Sequence, residues 1–180
     1  MSIEIKARCA DPSRVRGLLR SRGAVYRGLD PQRDTYFRIP CGRLKLREGR
    51  IENALIYYCR EDRKNSKKCD AVLARYKNTA PLKKILTATL GVLAVVDKKR
   101  EIFFIRNTKF HIDRVKHLGS FVEIEVFGPS GRKSEAELRK QCEHYRQLFG
   151  IKKKDLLADS YSDQLLKTAQ RSTRKAQRKS

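Results

Sequence analysis

Residues 2–8 read Ser2-Ile3-Glu4-Ile5-Lys6-Ala7-Arg8. On an extended chain successive side chains point to opposite faces. One face of this strand therefore carries Ser2, Glu4, Lys6 and Arg8, and the other Ile3, Ile5 and Ala7. The same alternation returns along the chain. Arg43, Lys45 and Arg47 oppose Leu44 and Leu46; Tyr58 and Arg60 oppose Tyr57 and Cys59; Arg75 and Lys77 alternate with Ala74 and Tyr76. Lys98 and Arg100 share a face. Further on, His111, Asp113 and Val115 share one, and Glu123 and Glu125 oppose Val122, Ile124 and Val126.

Any one such strand fits an antiparallel sheet with one face on a core and one in water. The set does not read that way. Its polar faces are almost wholly charged, with cations in the middle strands and carboxylates in the first and last. Unpaired charges in a dry interior are prohibitive. A closed barrel resolves this by turning the apolar faces outward under helices and lining a wet channel with the charges. Such a channel concentrates a dense anion. Its carboxylates suit a hard divalent cation, which pairs protein carboxylates with phosphate oxygens.

The element order reads strand, helix, four strands, helix, three strands, helix and tail. The first helix has Asp11 as N-cap, Pro12 at its first position, an apolar stripe of Val15, Leu18 and Leu19, and Gly23 as its stop. Strands follow at about 33–39, 42–48, 55–61 and 71–77, with a turn at Gly49 and an exposed hairpin loop over 62–68. Pro81 opens a helix with Leu82, Ile85, Leu86 and Leu90 on one side. Strands resume at 92–98, continuing or hairpinning through 100–105, then at 110–115 and 121–127. Gly128, Pro129 and Gly131 break the sheet. Ser134 and Glu137 form a capping box for a third helix. The fold class is α+β: a closed eight-stranded antiparallel barrel with helices packed outside. Residues 1–166 form one domain, and 167–180 a basic, disordered tail.

The chain of 180 residues has the length of one domain. Its net charge of +23 calls for an anionic partner. Lys167, Arg171, Arg174, Lys175, Arg178 and Lys179 bring nonspecific nucleic-acid contact into view through the tail. Taking these six away still leaves +17, so the body itself is basic. Cys9, Cys41, Cys59, Cys69 and Cys142 are odd in number and lack metal or redox spacing, which predicts free thiols in a reducing compartment. No apolar stretch is long enough to span a bilayer and no secretory signal opens the chain, which predicts a soluble cytoplasmic protein.

The chain resembles the CYTH superfamily, the triphosphate tunnel metalloenzymes that include class IV adenylate cyclase and thiamine triphosphatase. The residues that carry the likeness are Ile3–Arg8, Gln32–Phe37, Gly42–Arg47, Val96–Arg100, His111–Val115 and Leu118–Glu125, in that order. The resemblance implies an eight-stranded tunnel, a triphosphate-bearing substrate, and Mg²⁺ or Mn²⁺. By position it implies Glu4, Asp113, Glu123 and Glu125 as metal ligands. It implies Lys6, Arg8, Lys45, Arg47, Arg60, Arg75, Lys98 and Arg100 as phosphate contacts. The family signature at the N-terminus is Glu-x-Glu-x-Lys, and Ser2 stands where the first Glu belongs, which weakens a second metal site.

The activity expected from this is triphosphate hydrolysis. Metal and cations neutralise the phosphate oxygens while a water attacks in line. Glu4 accepts the proton, or Lys6 does, since a lysine crowded by cations has a depressed pKa. His111 shares a face with Asp113 and reads as a structural residue. Two other classes stand beside this one. Cyclisation of ATP uses the same tunnel but needs an adenine pocket that the sequence does not display. A non-catalytic polyphosphate or RNA binder fits the charge but has no use for four converging carboxylates.

Overall fold

The computed structural model describes residues 2–60, 67–128 and 134–177. Eight strands and four helices follow in the order β1 (Ser2–Arg8), α1 (Pro12–Ser21), β2 (Val25–Phe37), β3 (Arg43–Glu48), β4 (Ala54–Arg60), β5 (Lys67–Arg75), α2 (Ala80–Leu90), β6 (Val92–Ile105), β7 (Thr108–Val115), β8 (Gly119–Phe127), α3 (Glu135–Leu148) and α4 (Tyr161–Gln177). Most of the expected 62–68 loop, together with Pro129 and Gly131, lies outside the described residues.

All pairings are antiparallel, in the order β1-β5-β4-β3-β2-β6-β7-β8. The sheet curls strongly, yet the closed barrel expected from the sequence is met in part. β1 pairs with β8 over seven residues, Ser2↔Phe127 to Arg8↔Phe121. With β5 it shares three, Ser2↔Cys69 to Glu4↔Lys67. The two strands are staggered, as tilted strands in a curled sheet are, so only their ends overlap. Ala71–Arg75 of β5 run past the start of β1, and the sheet is a half-barrel with a short seam.

The apolar faces lie on the outside, as the alternation predicts. Ile3, Ile5 and Ala7 of β1, Phe110 and Ile112 of β7, and Val122, Ile124 and Val126 of β8 form the main core against Val15 and Leu19 of α1 and Leu138 and Cys142 of α3. Both helices start as expected. The Asp11 side chain accepts from the Arg14 amide at 3.0 Å. Ser134 and Glu137 complete their capping box. A smaller cluster of Tyr36, Val96, Val115, Phe121 and Tyr161 fills one end of the concave side. Tyr161, the first residue of α4, therefore plugs that end.

Two expectations change. β2 starts at Val25 rather than at 33, because Gly28 (φ 128°) takes up a bulge between Tyr26 and Gly28 and lets the strand run on. Pro31 sits where β2 has β6 on one side and not yet β3 on the other. Of the two readings left open for residues 92–105, the continuous one is observed: β6 is a single strand of 14 residues. The segment from 167, expected to be disordered, continues α4 to Gln177.

The turn after β3 is built on a buried carboxylate. Asp30 accepts from the amides of Arg50 (2.6 Å), Ile51 (3.0 Å) and Glu52 (3.1 Å). Charge-assisted bonds of this kind are the strong ones. They fix Glu52 at the rim of the concave side. A Cβ on Gly49 would stand 2.7 and 2.8 Å from the Asp30 carboxylate oxygens and 2.9 Å from the Glu52 carbonyl. Gly49→Ala should therefore lose roughly 1–3 kcal/mol. Gly17→Ala, where a Cβ meets nothing within 4 Å, should gain about 1 kcal/mol as a helix substitution. Urea unfolding of the two variants beside the parent checks both signs.

Candidate functional site

The concave side encloses a cavity of about 1080 Å³. Two charge clusters line it. The first centres on Asp34 of β2. Its carboxylate accepts from Lys45 Nζ at 3.1 Å, Lys98 Nζ at 2.6 Å, and Arg47 Nε and Nη2 at 2.9 and 3.0 Å. β3 and β6 flank β2, so their inward residues meet Asp34 across the ladder. Burial alone would raise the Asp34 carboxyl; Arg47, Lys45 and Lys98 outweigh it and hold it well below its usual range. Burial pushes Lys98 well below the ordinary lysine range, and Arg47, Arg100 and Lys45 add repulsion against the pull of Asp34. Lys98 is thus a buried, cation-crowded lysine whose proton is held weakly.

The second cluster centres on Arg100. It grips Asp113 through Nε (2.7 Å) and Nη2 (2.6 Å), and Nη2 also reaches Glu123 at 2.8 Å. Lys6 Nζ lies 3.5 Å from the other oxygen of Glu123. His111 Nδ1 donates to Glu123 at 3.2 Å, and its Nε2 is buried with no hydrogen-bond partner among the described residues. Burial, with Arg100 nearby, brings His111 down to about 4, so its ring is neutral. The Tyr161 hydroxyl donates to Asp113 at 2.9 Å, and Lys6 stacks on its ring at 4.3 Å.

Beyond Glu123 toward the open end, Glu4 and Glu125 are direct neighbours across the β1–β8 ladder. Ser2 Oγ donates to Glu125 at 3.0 Å. Among the described residues, Glu125 makes no ion pair. Burial first, then Glu4 and Glu123, push its carboxyl up to about 7. Two carboxylates held side by side in this way carry an excess negative charge.

The structure brings Glu4, Lys6, Lys45, Arg47, Arg75, Lys98, Arg100, Glu123 and Glu125 to the one cavity. It does not bring Asp113 there. Asp113 sits behind the wall, captured by Arg100 and Tyr161. Arg8 is exposed past the plugged end, with its guanidinium over Phe121 at 5.5 Å and a bond to the Leu118 carbonyl. Arg60 ends β4, and its side chain lies outside the described residues. Among the described residues, no three His, Cys, Asp or Glu side chains stand together as a metal centre.

The sequence reading missed Asp34, Glu52, Lys109 and Tyr161. Glu52 accepts from Arg47 Nη1 at 2.8 Å and pairs with Lys109. Lys109 alternates in register with His111 and Asp113, and that periodicity is the signal that could have found it. The inner wall of β4 also departs from expectation, since Ala54, Ile56 and Tyr58 form an apolar patch there. Cys9, Cys41, Cys59 and Cys142 are free thiols. No described helix is long and apolar enough to cross a membrane.

The fold is thus a curled antiparallel sheet with its apolar face under helices and its charges inside. The chain belongs to the CYTH domain family, whose match covers residues 1–161. No curated protein matches it in sequence. Among solved structures it is similar to the PH1012 protein of Pyrococcus horikoshii (23% identity, TM-score 0.78, covering 91% of this chain and 98% of that one). It is also similar to a Vibrio parahaemolyticus protein described as a candidate adenylate cyclase (18%, 0.74, 91% and 97%). A third is HpAC1 from Hippeastrum, a candidate adenylyl cyclase described as having a dominant triphosphatase activity (12%, 0.59, 89% and 91%). At these identities the likeness carries the fold.

The raised Glu125 carboxyl gives a pH test. Native Glu125 keeps its proton up to about pH 7, whereas the unfolded chain releases it near the ordinary value of 4.5. Its contribution to stability is therefore full below pH 4.5 and is lost as pH rises through 7. Glu125→Gln should gain roughly 1–3 kcal/mol over the parent at pH 8 and little at pH 4. Denaturant unfolding at both pH values reads this difference, and equal gains at the two would contradict the assignment.

Proposed function

We propose that this protein hydrolyses triphosphate-bearing molecules in the concave cavity, with Mg²⁺ or Mn²⁺ as its metal. The observation that supports this is the convergence of Lys6, Lys45, Arg47, Lys98 and Arg100 on one cavity that also holds the Glu4–Glu125 pair. Full closure of the sheet into a tunnel around the ligand belongs to the same reading.

The binding chemistry follows from the two clusters. Asp34 holds Lys45, Arg47 and Lys98 in place before any ligand arrives, and Asp113 and Glu123 do the same for Arg100. Donors fixed in advance reorganise little when phosphate oxygens develop charge, and this is where such groups give the most rate. Tyr161, Phe121 and Val96 close the far end, so water enters from the open side. Glu4 and Glu125, adjacent across the β1–β8 ladder, offer the hard oxygen donors a divalent cation takes, with Glu123 next along β8 and phosphate oxygens and water to complete the shell; a cation there would offset the burial and the repulsion that raise Glu125. Asp113, engaged by Arg100 and Tyr161, does not fit as a ligand. When bound, the metal supplies Lewis-acid polarisation of the phosphate oxygens. In this reading Glu4 or Lys6 takes the proton of the attacking water, and Lys98, whose pKa burial depresses, is a third group able to do so. The basic residues from Lys167 onward add a nonspecific attraction for polyanions.

Phosphate release from inorganic triphosphate, ATP and thiamine triphosphate, with Mg²⁺ and Mn²⁺ separately, tests the reading. Lys45→Met, which leaves Asp34 paired with Arg47 and Lys98, should lower kcat/KM about 10²-fold, the usual effect of removing one stabilising donor. Cyclic nucleotide and pyrophosphate as the products from ATP would instead establish cyclisation. A thermal shift with triphosphate but no turnover with either metal would make the protein a binder.

A second measurement reads the metal without turnover. Saturating Mn²⁺ should raise the melting temperature of the parent at pH 8, by mass action on the folded state. Glu125→Gln should lose most of that shift. An equal shift in both proteins would remove Glu125 from the metal site.

A further inference from the structure

The outer face of the sheet carries a second charged surface. Under α1 that face is apolar, with Phe103 of β6 and Phe110 and Ile112 of β7 packed in the main core. Farther along the same strands the outward positions turn charged. They are Asp97 and Lys99 of β6 and Arg114 of β7, with Arg33 beside them on β2, and they alternate with the inward Lys98, Asp113 and Asp34. Together with Lys116 after β7 and Lys83 of α2 they line an open groove of about 930 Å³.

The charges of this groove do not balance. Asp97 accepts from Arg33 at 2.7 and 3.3 Å, and Glu48 from Lys83 at 2.7 Å. Lys98 turns inward to Asp34. Among the described residues this leaves exposed Lys99, Arg114 and Lys116 without a carboxylate of their own. Lys99 and Arg114 are moreover direct partners across the β6–β7 ladder. Like charges placed directly opposite destabilise a sheet. On their other sides Lys99 meets Pro31 and Arg114 meets Ser120, so no neighbouring strand offsets the repulsion. Folding gives no account of this pair, and a bound anion does.

The lining narrows down which anion. Arg114 and Lys116 are two residues apart, about 7 Å along an extended chain. Cations strung out in this way suit the successive phosphates of a polymer better than one compact group. Neither Phe nor Tyr lines the groove, so unpaired bases find no platform to stack on. A membrane surface would call for apolar or aromatic anchors at the rim, and the exposed lining is polar apart from Pro31. A duplex, with its bases already stacked and its phosphates outside, fits both conditions.

We propose that this outer groove binds the phosphate backbone of a nucleic-acid duplex through Lys99, Arg114 and Lys116, without reading its sequence. The net charge of +23 supplies the long-range attraction, and the groove gives the polyanion a place. The proposal does not depend on the triphosphate reading, because these side chains stand on the other face of the strands that line the cavity.

The test is fluorescence anisotropy of a short labelled DNA duplex with the full chain over a range of salt. Lys99→Gln combined with Arg114→Gln should weaken binding at least tenfold. It should also flatten the slope of log K against log salt by about 2, near 0.9 for each lost phosphate contact. Its melting temperature should hold or rise, because a repulsive pair has gone. Lys140→Gln combined with Lys154→Gln takes the same charge from exposed positions outside the groove and should leave the slope as it was. Lys45→Met, in the concave cavity, should leave duplex binding unchanged. Two duplexes of unrelated sequence should bind alike, since phosphate contacts carry no sequence information. Full binding by the groove variant would assign the contact to the basic end of α4 and overturn the proposal. An equal loss in the Lys140 and Lys154 variant would reduce it to bulk charge, and a loss with Lys45→Met would move the duplex to the concave cavity; either overturns it. So would a parent protein that binds phosphatidylserine vesicles and no duplex.

Discussion

Like charges cannot share a confined space unless something neutralises them, and the concave side of this sheet is organised by that constraint. Lys45, Arg47 and Lys98 coexist because Asp34 stands between them. Arg100 is held because Asp113 and Glu123 flank it. A buried ion loses hydration worth several kcal/mol even after relaxation, and only close geometry and further hydrogen bonds recover it. The clusters meet that requirement with bidentate arginine contacts. The bonding partners are then fixed, and with them the relative heights of β2, β3, β6, β7 and β8. Removing Asp34 would leave three cations facing one another, a larger disturbance than removing any one of them.

This arrangement inverts the usual relation between a sheet and its core. The well-packed apolar layer lies outside, under α1 and α3, and the polar groups lie within the curl. The concave side is consequently free to be chosen for binding, because the stability of the sheet rests on the opposite face. α2 shows the same division from the other side. It buries no residue and contributes little packing, so its loss would touch the fold less than loss of α1 or α3.

Much of this was legible in the alternation of residues 2–8, 43–47 and 121–126, since period two assigns faces without knowledge of neighbours. It assigns no depth along the channel. Arg8 shares a face with Glu4 and Lys6, yet its ladder partner is Phe121, and it falls beyond the plug. Nor does period two reveal pairing. Asp113 has the right face but stands opposite Arg100 in the β6–β7 ladder and is consumed by it. Asp34 was hidden because its partner Lys98 is 64 residues away. Glu52 was hidden because it lies in a turn, where no period operates and Asp30 decides its place. The long β2 escaped because Gly28 and Pro31, ordinarily breakers, were absorbed by a bulge and by a one-sided pairing. Full closure could not be read from the strand count, because closure depends on stagger.

Tyr161 draws together parts of the chain that are made at very different times. Its hydroxyl bonds Asp113 and its ring lies under Lys6, while Ser2 waits for Glu125, 123 residues later. Contacts of such separation form slowly, because loop closure must precede their reward. On the ribosome, β1 has no β8 to pair with until nearly the whole sheet has emerged, and the far end of the cavity stays open until α4 begins. Lys6 of a growing chain therefore faces the polyanionic RNA of the ribosome that is making it before Glu123 and Tyr161 exist to engage it.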